Sequence, residues 1–384
     1  MRDGDRLGDW VALVDSLYPE SDAADGDPTG LQVGDPQDRV TGVLVCLDVT
    51  EDILSDASAA GADLVIAHHP LLFRPLARLV PETAAARLTL RAARAGIAIL
   101  AAHTNLDVAI GGTSDPIAEI LDLRDVRPLT PRPLSSSARV KLATFVPAED
   151  TPAVLAALAE AGAGVIGEYD HCSFRVAGTG AFRPSGEADP SVGERGTINE
   201  VAEQRVEVVV PQSSIAAAVG ALIEAHPYEE VAYDVYPLVE VGADSRKGLG
   251  RVGDLAEPLR LAEIADRLAH GLPSPGLRVA GDLDAMARRV AACGGAGDSL
   301  IPAAVASGAD VYVTGDLRHH PTLDALTMGM AMIDAGHYAT EAPAMRAFAE
   351  ALTRAAGARG LGARLLASAR PTDPWSGYRA PGRP

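Results

Sequence analysis

Four apolar runs in this chain each end in a short cluster of histidine and acid, and that recurrence constrains the fold more than any other feature. Asp63-Leu-Val-Ile-Ala leads into His68-His69-Pro70. Ile97 to Ala102 leads into His103-Thr-Asn-Leu-Asp107. Val311 to Thr314 leads into Asp316-Leu-Arg-His319-His320, and Met330 to Asp334 leads into His337-Tyr-Ala-Thr-Glu341. Six of the nine histidines lie in these segments. A short apolar run bounded by turn residues reads as a strand buried on both faces of a parallel sheet. In an open α/β sheet, ligands collect outside the carboxyl ends of the strands. If these strands are parallel, His68, His69, His103, Asp107, Asp316, His319, His320 and His337 share one edge. Histidine and carboxylate gathered there have the composition of a metal site.

Local spacing refines the expectation. Successive residues on an extended strand point to opposite sides, so His68 and His69 are better placed to reach two ions than to grip one. His337 and Glu341 lie four apart and share a face if a helix begins at His337. That spacing suits a nitrogen and an oxygen ligand on neighbouring ions, with the carboxylate bridging. Asp107 adds a second carboxylate. Such a shell is partly open, and water held in it becomes a nucleophile near neutral pH. Asp48, also at a strand end, is a candidate to orient a ligand. His171, His226 and His270 stand alone and read as ordinary surface or hydrogen-bonded groups.

Composition narrows the function classes. The chain has 384 residues, enough for two or three domains with buried cores. Its formal net charge of −19 argues against nucleic acid and against an anionic membrane surface. No uninterrupted apolar run is long enough to span a bilayer, and no apolar segment follows Met1 that would read as a signal peptide. Cys46, Cys172 and Cys293 are too few and too scattered for a disulfide framework or a Cys-x-x-Cys zinc motif, which points to a reducing cytoplasm.

The patterning predicts two α/β halves that form one metal-binding core, interrupted by an inserted ferredoxin-like α+β domain. The expected boundaries are 1–133, 134–245 and 246–384. In the first third, a helix from Thr50 to near Gly61 and another over Glu82–Ala95 alternate with strands over Val40–Val49, Asp63–Ala67 and Ile97–Ala102. The Pro- and Ser-rich stretch Arg127–Ser137 reads as a linker. The middle third reads strand, helix, strand, strand, helix, strand: Arg139–Val146, Thr151–Ala161, Ser173–Phe182, Arg205–Val210, Ser213–Ala225 and Val231–Val239. After Gly248 the α/β pattern resumes, and the residues from Ala367 on read as a short strand and a loose tail. Cys293-Gly-Gly-Ala-Gly-Asp298 could cradle an anion on its backbone amides. No lysine follows it, and a tight strand-to-helix turn is the simpler reading.

Five segments in register carry a resemblance. Gly30-Leu-Gln-Val-Gly34-Asp35, Ala67-His-His-Pro-Leu-Leu-Phe73, His103-Thr-Asn-Leu-Asp107, Thr314-Gly-Asp-Leu-Arg-His-His320 and Asp334-Ala-Gly-His-Tyr-Ala-Thr-Glu341 resemble the GTP cyclohydrolase I type 2 family, the NIF-three-like dinuclear metal centre proteins. The likeness spans about residues 1–130 and 246–370. It implies two divalent ions, Zn, Fe or Mn, held by His68, His69, Asp107, His337 and Glu341, with Glu341 bridging and His103 close by. The middle third, with His226-Pro-Tyr-Glu-Glu230, is similar to the insert of the longer members, itself similar to the small CutA proteins. The resemblance further implies a toroidal homohexamer. One departure is visible: Asp25-Gly-Asp-Pro-Thr-Gly30 lacks the Trp-Asp-Asn usual before Gly-Leu-Gln-Val-Gly.

Two functions are compatible with these residues. One is a metal-dependent hydrolase acting on a small molecule or nucleotide, with His103, His319 or His320 moving protons. The other is a non-catalytic metal-binding scaffold or regulatory protein whose insert senses a small molecule.

Overall fold

The computed structural model describes residues 5–131, 136–167, 169–239 and 246–377. The chain divides into two units, one comprising the residues up to 132 and from 244, the other 133–243.

The larger unit is built on two large sheets, with a two-stranded pairing of Asp5–Arg6 and Arg39–Val40 beside them. Its five-stranded sheet runs in the order Arg364–Ala367, Gly42–Cys46, Leu64–Ala67, Ala98–Ala101, Gly30–Val33. All neighbours are parallel except the last pair. The continuous apolar runs are explained by burial on both faces. Val43, Val45, Leu64, Ile66 and Leu100 join Trp10, Leu13, Phe348 and Leu352 on one side. Leu44, Cys46, Val65 and Ile99 alternate to the other side, where they meet Ile53 and Leu54 of the helix Glu51–Ala60. That helix is capped as its sequence predicts. The Thr50 hydroxyl accepts from the Ile53 amide, and Gly61 closes the last turn at φ 65°.

The six-stranded sheet is mixed, in the order Arg278–Ala280, Ala331–Asp334, Val311–Gly315, Met286–Ala296, Gly248–Arg260, Arg124–Pro131. Its three central strands are parallel. The stretch Arg127–Ser137, expected as a linker, is therefore partly strand: Arg124–Pro131 pairs antiparallel with Gly248–Arg260. Its prolines misled the reading, because at the edge of a sheet they need no second ladder partner. Residues 132–135 of that stretch lie outside the described residues.

A chain crossing ties the two sheets together. The helix Ala344–Arg359 follows the last strand of the six-stranded sheet but packs its Met345, Phe348 and Leu352 onto the five-stranded one. The strand Arg364–Ala367 then adds to that same sheet beside Gly42–Cys46. The short strand expected from Ala367 on therefore ends at that residue. Beyond it, Arg370 pairs with Asp52 and Asp56, and the Thr372 hydroxyl donates to Asp48.

The smaller unit has one antiparallel sheet in the order Tyr233–Val239, Ser136–Pro147, Asn199–Pro211, Ser173–Phe182. The helices Thr151–Glu160 and Ile215–Ala225 cover one face, burying Val154, Leu158, Ala218 and Leu222 against Leu142, Val206 and Val208. Among the described residues, no helix is long and apolar enough to cross a membrane.

Arg251 is the buried charge that fixes the loop behind Asp107. It is 3% exposed, pairs with Asp115, and donates to the carbonyls of Ala109 (2.6 Å), Gly248 and Gly250 (both 2.8 Å). Arg251→Met leaves the Asp115 carboxylate and three carbonyls without their donor. We expect a loss of about 3 kcal/mol in folding free energy, checked by urea denaturation, with no change in the denaturant slope.

Candidate metal centre

The parallel strands of both sheets deliver their carboxyl ends to one place. His68 and His69 follow Leu64–Ala67, His103 follows Ala98–Ala101, and His337 follows Ala331–Asp334. Asp107 closes the short helix Thr104–Asp107, and Glu341 closes the helix His337–Glu341. His69 and His337 are 268 positions apart in the chain, yet their Nε2 atoms lie 3.3 Å apart.

Glu341 is the centre of the arrangement and is only 4% exposed. Its Oε1 lies 3.7 Å from His68 Nε2, which is itself 3.5 Å from Asp107 Oδ1. Its Oε2 lies 3.1 Å from His69 Nε2 and 3.3 Å from His337 Nε2. Two groups of three result, His68–Asp107–Glu341 and His69–His337–Glu341, and either could hold a metal ion. His68, His69 and His103 form a third such group.

Each imidazole is oriented from behind. His68 Nδ1 bonds the Ala102 carbonyl at 2.9 Å, His69 Nδ1 bonds Asp48 at 2.7 Å, and His337 Nδ1 bonds Asp316 at 2.7 Å. Every Nδ1 is thus occupied and every Nε2 is turned inward, the pattern of metal-ligating histidines held by outer partners. Asp107 Oδ1 accepts from the Thr113 hydroxyl at 2.5 Å. His103 Nδ1 is held by Asp27 at 2.6 Å, and Thr104 donates to the same carboxylate.

The inward-facing nitrogen and oxygen atoms crowd one common space. His68 Nε2 and Glu341 Oε2 are fully buried and make no hydrogen bond of acceptable geometry, despite neighbours at 3.1–3.7 Å. Buried polar atoms are rarely left this way without a partner such as an ion. Nitrogen and oxygen donors in these groups fit a divalent cation.

The electrostatics reflect the crowding. Burial opposes the charged form of His69, but the hydrogen bond to Asp48 and the nearby Glu341 carboxylate raise it to about 10. The adjacent Glu341 carboxylate raises His337 to about 9. Burial likewise opposes charge on His68, yet Asp107 and Glu341 lift it above the usual range. Burial alone would raise Glu341; the three histidines around it hold it well below the ordinary carboxylate value. Burial raises Asp107.

Backbone approach makes the cluster this tight. Gly295 has φ 69°, and a Cβ there would stand 2.2 Å from Glu341 Oε1. The glycine-rich segment read from sequence as a turn or an anion cradle is mostly strand, within Met286–Ala296. Two of its amides are already occupied, Gly294 by the Ser114 hydroxyl and Gly295 by the Thr340 hydroxyl. Its glycines serve close approach to the site.

The sequence-based candidates thus fall into two sets. His68, His69, Asp107, His337 and Glu341 converge, and His103 packs beside them, with its ring centroid 5.3 Å from that of His68. His319 and His320 open the exposed helix His319–Thr327, and neither belongs to these groups among the described residues. Asp27, Thr113 and the Ala102 carbonyl escaped sequence reasoning. Asp27 had a weak signal, an acid in the turn just before Gly30-Leu-Gln-Val-Gly34.

The sequence model of the Duf34/NIF3 (NGG1p interacting factor 3) family matches residues 6–374, and the chain belongs to that family. It is 44% identical over 329 residues to a GTP cyclohydrolase 1 type 2 homolog of Bacillus subtilis, covering 86% of this chain and 87% of that one. It is 42% identical over 374 residues to the homolog of the same name in Mycobacterium tuberculosis, 97% of each chain. The crystal structure of a Bacillus cereus protein related to NIF3 superposes with a TM-score of 0.67 at 38% identity, over 97% of this chain and 99% of that one.

Asp48 offers a direct check on the orienting shell. Asp48→Asn keeps the size but loses the charge behind His69. We expect metal affinity to fall by roughly 10–100-fold with the fold unchanged, read by competition with a chromophoric chelator.

Proposed function

We propose that this member of the Duf34/NIF3 family holds two divalent ions, with Glu341 shared between them, and is a metal-dependent hydrolase. One observation carries the reading: the two carboxylate oxygens of Glu341 divide, Oε1 toward His68 and Asp107, Oε2 toward His69 and His337. His68 and Asp107 would hold one ion and His69 and His337 the other. Zn, Fe and Mn all suit this mixed donor set. When bound, such ions would polarise a substrate and lower the pKa of water.

The chain's own residues supply orientation and proton handling. Asp48 and Asp316 fix the tautomers of His69 and His337. His103 is held by Asp27 through Nδ1, which leaves Nε2 able to take or give a proton beside the cluster. Geometry favours His103 for this role over the exposed His319 and His320. Phe73 meets His103 edge to face at 6.1 Å and is 60% exposed, an apolar wall next to the same group. A small molecule or nucleotide is the substrate class we infer.

The same reading extends to the rest of the chain. The strand order of the smaller unit, with its first and third strands adjacent at the centre, supports a ferredoxin-like insert. We also infer a cytoplasmic homohexamer, which sedimentation and cell fractionation would test.

Metal content by mass spectrometry tests the division of ligands. We expect two ions per chain, one after Asp107→Asn, one after His337→Ala, and none or nearly none after Glu341→Ala. Equal loss from all three variants would sink the shared-carboxylate assignment. Turnover of GTP, other nucleotides and phosphoesters by the metal-reconstituted protein tests the enzyme reading separately. If the two ions are present and no substrate is consumed, the scaffold reading replaces it.

A further inference from the structure

The smaller unit contains a cavity that the metal reading leaves unused. It encloses about 670 Å³ against the strand Ser173–Phe182, with Phe145, Val176, Phe182, Val192, Glu203 and Tyr228 among its walls. The surface of this cavity is mostly apolar, yet one carboxylate stands in it. Glu203 is 9% exposed. Its Oε1 accepts the Tyr228 hydroxyl at 2.8 Å. Its Oε2 has no protein donor among the described residues and is not sealed from the cavity.

Gly180 makes room for that oxygen, and Gly178 leaves open space on the same strand face. Gly178 pairs directly across from Glu203, and Gly180 follows on the same strand face. A Cβ at Gly180 would stand 2.1 Å from Glu203 Oε2, whereas one at Gly178 would meet nothing within 4 Å. Glycine inside a strand often marks such a close approach. The nearby cation does not neutralise Glu203. Arg205 donates to Glu207 at 3.0 Å, and its guanidinium lies 5.7 Å from the Phe145 ring centroid. Counting Arg183, Glu229 and Glu230 at the exposed edge, the lining holds three carboxylates against two guanidiniums.

A carboxylate with one hydrogen bond among apolar walls is poorly solvated, and a cation that brings its own donors relieves that cost. An anionic group seated beside Glu203 Oε2 would be repelled by it. We propose that this cavity binds a small organic cation, an ammonium carried on an apolar body, with Glu203 Oε2 receiving the ammonium and Phe145, Val176 and Phe182 covering the rest. The site stands on the smaller unit alone and does not rest on the metal reading.

Isothermal titration of the full-length, chelator-treated protein tests it with two probes of the same shape, tryptamine and its alcohol counterpart tryptophol. Tryptamine is expected to bind at least about tenfold more tightly than tryptophol. Glu203→Gln is expected to erase that preference. Gly178→Leu, which fills the open space and leaves Glu203 in place, is expected to remove binding of both probes while the melting curve stays as in the parent. Equal affinity for the two probes, no binding of either, or tryptamine binding unaffected by both substitutions would overturn the proposal. So would a change in sedimentation in either variant with no change in tryptamine affinity, which would mark the cavity as a contact between copies of the chain.

Discussion

Everything at the centre depends on one carboxylate standing among three imidazoles. Glu341 is buried, and isolated it would be expensive to ionise in such a place. It is held ionised by His337, His68 and His69, each from a different direction. Remove the convergence and the carboxylate becomes an unpaired buried charge. The fold must therefore bring the carboxyl ends of two separate sheets together before this side chain is tolerable.

The chain crossing after the cluster accomplishes this. Glu341 ends a helix of five residues, and three residues later the helix Ala344–Arg359 begins on the five-stranded sheet. Its Phe348 and Leu352 are almost wholly buried beside Trp10 and Leu13. Burial of several large side chains is worth several kcal/mol, enough to offset crowding in the polar cluster they anchor. Arg251 performs a similar service for Asp107, clamping the loop behind it through Ala109 and Asp115. Core packing and a buried ion pair thus set distances within a site to which they contribute no ligand.

The strands that feed this cluster were legible because runs such as Val43–Val45 and Leu64–Ala67 are apolar on both faces, and the polar residues that follow them mark where ligands gather. Helix limits at Thr50, Gly61 and Gly96 were legible from cap chemistry. The edge strand Arg124–Pro131 was not, since proline content outweighs pattern wherever a ladder needs only one side. Nor was the glycine-rich strand end, because which side chain presses on a glycine is a long-range fact. The bond between Asp27 and His103 spans 76 positions and pairs two segments that no local pattern connects. His319 and His320 show the opposite failure: a conspicuous dipeptide at a strand end, but on the exposed start of a helix.

The cluster is also lopsided in its access to solvent, and that asymmetry shapes how a ligand could approach. The His68 side chain is 0% exposed, Glu341 5% and Asp107 19%, whereas His69 is 23% and His337 36% exposed. The triad of His68 is the more deeply buried, and that of His69 and His337 faces outward. A ligand arriving from water would meet His337 and His69 before it met His68. Phe73, edge-on to His103, and Thr372, which ties the C-terminal segment to Asp48, sit around the same groups. With a net charge of −19 overall, the accessible side of this cluster is where the raised charge of His69 and His337 offsets the acidic chain.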